Sequence, residues 1–176
     1  MTAGSARRLV GRPVRVGALD VGSVDDVVLG ADLSVVLGIA VRSRAGRPCF
    51  LPWAATRLTG GGDVEAMSAA TLLGELELEY YLRSGTLLTR LLGAAVGDPR
   101  ASSIGAVDDV LLGPTGLVDA LLVMDGHRAY RLPLEDTFVR WTQGRLLELT
   151  VSAGPPPVGK ELQATEPRLA AAPAAA

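Results

Sequence analysis

Cysteine, histidine and aromatic residues are scarce in this chain, and each scarcity removes a class of function. One cysteine, Cys49, excludes an internal disulfide framework and any zinc site built from cysteines. One histidine, His127, leaves histidine-rich metal sites without ligands. Aromatic residues make up 4% of the chain, which poorly supplies a base-stacking platform for nucleic acid. The net charge of −2 is too small for bulk electrostatics to draw in a polyanion. The most apolar stretch, residues 111–124, is interrupted by Gly113, Pro114, Gly116 and Asp119. It falls short of the roughly 20 residues that span a bilayer. No apolar run follows Arg7 and Arg8 as a secretory signal requires, so the expected location is the cytoplasm.

What the chain does have is a repeat. Residues 21–30 read Val-Gly-Ser-Val-Asp-Asp-Val-Val-Leu-Gly, and residues 104–113 read Ile-Gly-Ala-Val-Asp-Asp-Val-Leu-Leu-Gly. Seven of the ten positions are identical and the other three are close swaps. An internal repeat is read first because it sets the architecture. Around each copy, short segments of strand character alternate with Gly- and Pro-containing turns. In the first copy these are residues 9–16, 24–29, 35–41, 49–51 and 64–67, with Leu37, Ile39 and Val41 on one face by the period of two. The second copy repeats the order, with a tight turn at Asp125-Gly126-His127 and a closing strand carrying Leu147, Leu149 and Val151.

Residues 1–6 read as a disordered lead and residues 153–176, rich in Ala and Pro, as a disordered tail with little to bury. The lobes are then 7–67 and 91–152, joined by a connector at 68–90. In the connector Leu72, Leu73, Leu76, Tyr80 and Leu82 recur near helical spacing, which predicts a short helix, although Leu76-Glu77-Leu78-Glu79 also fits a strand. The fold class is all-β.

No convergent catalytic set emerges. Asp25-Asp26 and Asp108-Asp109 could offer oxygens to a hard cation. Neighbours on a strand point to opposite faces, however, so one Asp of each pair is expected in solvent and the other on the backbone of a nearby turn. His127 sits at a hairpin tip with no positioned partner. Cys49, between Pro48 and Phe50, reads as a small buried hydrophobe. Gly60-Gly61-Gly62 lacks the Lys-Ser/Thr of a phosphate loop. No catalytic residue, metal or cofactor is therefore expected, and the chain does not read as an enzyme. Arg7, Arg8, Arg12 and Arg15, joined by Arg42, Arg44 and Arg47, form the one basic cluster; solvated arginine is the favoured reading, with RNA phosphate the alternative. Trp53 reads as core, and it is also the aromatic candidate for anchoring a partner.

Each copy resembles the PRC-barrel, a small β-barrel found in the cytoplasmic part of the photosynthetic reaction-centre H subunit and in the C-terminal domain of a ribosome-maturation factor. The resembling residues are Leu9-Val10-Gly11-Arg12-Pro13-Val14, the signature from Val21 to Leu29, the strand from Val36 to Val41, and Leu51-Pro52-Trp53. In the second copy they are Leu92-Gly93, Ile104 to Leu112, and Leu132-Pro133-Leu134. There Ala94-Ala95 replaces Arg12-Pro13 and Leu134 replaces Trp53.

The resemblance implies two PRC-like barrels in tandem and a role in docking or assembly without a common catalytic centre. A barrel of about 60 residues buries only about 60% of its unfolded surface, so two copies are expected to shield each other, related by a pseudo-two-fold axis. Residues 7–67 carry eight Arg against six acids, and residues 91–152 five Arg against eight acids, a split that assists register. The expected partner is a protein, held by a surface that includes Trp53, Arg12, Arg15, Arg42, Arg44 and Arg47. The alternative is an RNA- or ribosome-associated factor using the arginines of the first lobe. A monomer with two packed lobes and a homodimer both fit.

Overall fold

A computed structural model of the chain describes residues 4–60, 62–97, 103–134, 137–141 and 147–151. Among them strands predominate. The first half holds β1 (Gly4–Ser5), β2 (Pro13–Val16), β3 (Leu19–Gly30), β4 (Val36–Ser43), β5 (Pro48–Pro52), β6 (Thr56–Leu58) and β7 (Val64–Ala66). The middle holds α1 (Glu75–Ser84), β8 (Gly85–Leu87) and α2 (Leu88–Leu91). The second half holds β9 (Ala95–Gly97), β10 (Ser103–Leu112), β11 (Val118–Asp125), β12 (Arg128–Pro133), β13 (Thr137–Trp141) and β14 (Leu147–Val151). No helix among the described residues is long and apolar enough to cross a membrane.

The signature is rich in β-branched Val and lies in the long central strand of each half, β3 and β10. Each strand makes an antiparallel hairpin with its successor, and the irregularities of the two hairpins correspond. In β3·β4 the register shifts between Val24 and Asp26 and again between Val28 and Leu29. In β10·β11 it shifts between Val107 and Asp109 and between Leu111 and Leu112. The first shift skips Asp25 in one copy and Asp108 in the other, so the repeated acidic pair sits at a bulge. The repeated glycine before it is needed for space. A Cβ on Gly22 would overlap the carbonyl oxygen of Arg42, and one on Gly105 that of Met124.

Each half lends its opening segment to the other. Along one edge β3 pairs first with β2 and then with β8, while β10 pairs first with β9 and then with β1. Residues 4–7 thus lie on the second half's long strand, and residues 85–91 lie on the first half's. Between these crossings Val35 and Leu117 form an antiparallel bridge: Val36 N–H donates to the Gly116 carbonyl at 2.8 Å, and Val118 N–H to the Ser34 carbonyl at 2.9 Å. One hydrophobic cluster runs through both halves, from Leu9, Val27, Ile39 and Leu51 to Leu88, Leu91, Val110 and Leu121. Marginal single units share a core in this way.

Three expectations need correction. Residues 4–6 are not a disordered lead, because the β1 ladder and the fully buried Ala6 hold them to β10. The end of the 68–90 connector belongs to the first half's sheet through β8, and its middle is the helix α1. Finally, no sheet closes into a barrel among the described residues. The order β5-β4-β3-β2-β7-β6 runs open, with β5 and β6 at its ends; the outer side of β5 is bridged at Phe50 by Leu73, and the strand stops at Pro52, where the chain turns away over Trp53–Ala55. In the second half β13 and β14 form their own two-stranded ladder. The expected tail at 153–176 lies outside the described residues.

Candidate docking surfaces

The acidic pairs divide their labour between solvent and backbone. Asp25 is exposed and takes two bonds from Arg42 across the hairpin, Nη2 at 2.6 Å and Nε at 3.2 Å. Asp108 is paired instead with Arg7 of the opening segment, at 2.6 Å. Their neighbours Asp26 and Asp109 are 6% and 7% exposed. Asp26 accepts from its following amide, Val27 N–H, at 2.7 Å, and Asp109 from Val110 N–H at 2.7 Å. Each then grips the segment contributed by the other half. Asp26 accepts from the Thr89 amide at 3.3 Å and from the Thr89 hydroxyl. Asp109 accepts from the Arg7 amide at 2.9 Å and from the Ser5 hydroxyl. The backbone donors are thus the next amide of the same strand and one amide of the contributed segment, rather than a nearby turn. A buried carboxylate with this many donors is held as a structural latch, not left available to a ligand.

The arginines expected to bind a partner are largely engaged within the chain. Arg15 lies 3.7 Å from Asp63, Arg42 is on Asp25, and Arg44 meets Asp20 at 2.8 Å. Arg12 donates from Nε to the Arg8 carbonyl at 3.2 Å. Arg47 is exposed beside the β4–β5 turn, where its amide donates to Ser43 Oγ at 3.0 Å. The hydrogen bond from Arg44, helped by its charge and by the Gly22 amide, holds the Asp20 carboxyl below the usual carboxylate range; Asp20 in turn raises Arg44. Three of these cations therefore already face a carboxylate of the same chain.

Trp53 is half-buried against the shared core, and its indole lies over Gly116 of the other half. The ring thus has its partner within the chain. Cys49 is half-buried in the edge strand β5 rather than fully enclosed, and packs on the same core. His127 is exposed in the β11–β12 turn.

Two members of the helical series expected in the connector, Leu76 and Tyr80, form an outer ridge of α1 in solvent. The helix packs Leu78, Tyr81 and Leu82 on the face of the first sheet formed by Val28, Ala40 and Phe50. Tyr81 stacks on Phe50 with centroids 4.1 Å apart. On the side away from the sheet, Leu76 is 78% exposed and Tyr80 68%. They stand at i and i+4, so their side chains are neighbours on one ridge. Glu75, Glu77 and Glu79 are exposed along the same helix, with Arg83 3.6 Å from Glu79. Helical periodicity alone could not find this, because Leu76/Tyr80 and Leu78/Leu82 are both i,i+4 pairs and either could face the sheet. The aromatic pair with Phe50 decides for the second.

Compared with known proteins, the chain matches no family model and no curated relative.

Proposed function

We propose that the protein is a non-enzymatic docking or assembly module made of two PRC-barrel-like units related by a pseudo-two-fold axis. The corresponding bulges, the reciprocal exchange of opening segments and the single shared core support the duplication. The observation that carries the docking role is the α1 ridge. Two large apolar side chains stand in solvent on a helix whose other side is firmly packed, and carboxylates flank them. Exposed apolar groups bounded by charge mark interaction sites. Their chemistry fits a protein segment that presents an apolar anchor beside Lys or Arg.

The test is a comparison of wild-type protein with Leu76→Ser/Tyr80→Ser as baits in the cell of origin. The variant is expected to fold with unchanged melting temperature and to lose the proteins that wild type retains. Equal recovery by both baits would rule out the ridge. The alternative, an RNA- or ribosome-associated factor using Arg12, Arg15, Arg42, Arg44 and Arg47, predicts RNA affinity that falls steeply with salt. The ion pairs on three of those five arginines count against it.

A further inference from the structure

In the first half a helix has a seat on the sheet: α1 packs Leu78, Tyr81 and Leu82 on the face that bears Val28, Ala40 and Phe50. Strand pairing identifies the matching face of the second half. Val28 pairs with Gly38 as Leu111 pairs with Ala120, and Ala40 pairs with Phe50 as Leu122 pairs with Arg131. Met124, two residues beyond Leu122, shares its side of the sheet. Leu111, Leu122 and Met124 are half-buried and join neither hydrophobic cluster of the described residues.

Both described α-helices pack against strands of the first sheet, α1 on β3, β5 and β8, and α2 on β3 and β8. The segment leading into α1 is pinned to that sheet's edge. Phe50 N–H donates to the Leu73 carbonyl at 3.0 Å, and Leu73 N–H donates back to Phe50 at 2.8 Å. Arg131, at the matching edge position, has no such bridge among the described residues. Its side chain is exposed and, among the described residues, in no ion pair, unlike Arg15, Arg42 and Arg44.

The α1 ridge complements this face. Leu76 and Tyr80 stand in solvent on a ten-residue helix that also exposes Glu75, Glu77 and Glu79, with Arg83 near Glu79. The face offers apolar groups beside the cation of Arg131, with Asp125 and Arg128 opposite each other at the hairpin end next to Met124.

We propose that the α1 ridge of one copy docks on the face of Leu111, Leu122 and Met124 in a second copy, with Arg131 among the helix carboxylates. This rests on the docking reading of the ridge and names its partner. The helix is then held between two sheets, its own through Leu78, Tyr81 and Leu82 and the neighbour's through Leu76 and Tyr80. Ridge and face are different surfaces, so the contact is heterologous and copies add head to tail into a ring or a filament. A contact made by one short helix belongs with the small, transient interfaces, below about 1,200 Å² in total, so assembly depends on concentration.

Two variants of the full chain, each lacking one surface, test this. Leu76→Ser/Tyr80→Ser keeps the face, and Met124→Glu/Arg131→Glu keeps the ridge. The weight-average mass of wild type should rise with concentration in the ultracentrifuge. Either variant alone should need about ten-fold more protein to associate. Mixed in equal amounts, the two should form a complex of one copy each and stop there, because that contact uses the one intact ridge and the one intact face. In a Cys49→Ala background, a Tyr80→Cys copy should form a mixed disulfide with a Leu122→Cys copy about ten-fold faster than a Leu19→Cys copy does.

A wild type that stays monomeric, variants that fail to combine where wild type associates, or equal disulfide rates would overturn the proposal. So would Met124→Glu/Arg131→Glu associating as strongly as wild type, which would pair ridge with ridge. Foreign proteins held by the ridge without a mixed complex would sink the self-contact and leave the docking reading standing, so the two fail separately.

Discussion

The indole of Trp53 fills the space in which a Cβ on Gly116 would stand. The two residues come from different halves, and Gly116 also holds a φ of +84°, where an L side chain is strained. Gly116→Ala therefore meets two obstacles, about 1–2 kcal/mol of backbone strain and about 1–3 kcal/mol for displacing the ring. For a chain of this size each kcal/mol lowers the melting temperature by about 2–4 °C. In a Trp53→Ala background only the backbone part should remain. A thermal double-mutant cycle with no coupling between the two positions would remove this contact from the account.

The repeated glycine of the signature makes a second, matched prediction. Gly22 and Gly105 each lie against a carbonyl of the neighbouring strand, so Gly22→Ala and Gly105→Ala should both force the hairpin apart. Each should cost about 2 kcal/mol or more, with loss of soluble yield where the ladder cannot relax. Denaturant titration of the two variants checks this. A neutral effect at one position and a large one at the other would show that the two hairpins are not built alike.

The carboxylates of Asp26 and Asp109 should behave as latches for the exchanged segments. Thr89→Val removes the hydroxyl donor and leaves the amide, as Ser5→Ala does at the other site. Losing one hydrogen bond to a buried charge costs about 1.5–3 kcal/mol. Amide exchange at Thr89 and Arg7, read by NMR, should rise in the respective variant before the rest of the sheet is affected. In an Asp26→Ala background Thr89→Val should add nothing further, and an additive cost would mean the hydroxyl acts elsewhere.

Much of this frame was readable from residues alone, and the unread part has a common cause. The repeat, the hairpin strands and the division of each Asp pair between solvent and interior followed from identity, alternation and strand geometry. The exchange of residues 4–7 and 85–91 did not, because Gly4-Ser5 and Gly85-Thr86-Leu87 carry no strand pattern; their ladders are made by the long strands they meet. The engagement of Arg42 by Asp25 and of Arg7 by Asp108 was equally invisible, since one pair spans a hairpin and the other spans the two halves. The ridge of Leu76 and Tyr80 escaped because its spacing matches that of the buried stripe.

The pair Asp20–Arg44 should carry part of the protein's acid sensitivity. Arg44 donates to Asp20 at 2.8 Å and lowers its pKa in the folded state, so as pH falls the unfolded chain takes up this proton first. The contribution is present above the ordinary carboxylate range and is lost as pH drops through the folded value. The raised pKa of Arg44 acts only at the alkaline extreme, so at neutral and acid pH its share is constant. Both groups are open to solvent, so the effect is modest and salt should weaken it. Carboxyl carbon NMR should find Asp20 titrating below the ordinary aspartate range. In Arg44→Ala its midpoint should move upward, though not fully, because the Gly22 amide remains at 3.1 Å. A midpoint that does not move would show that the ion pair is absent in solution.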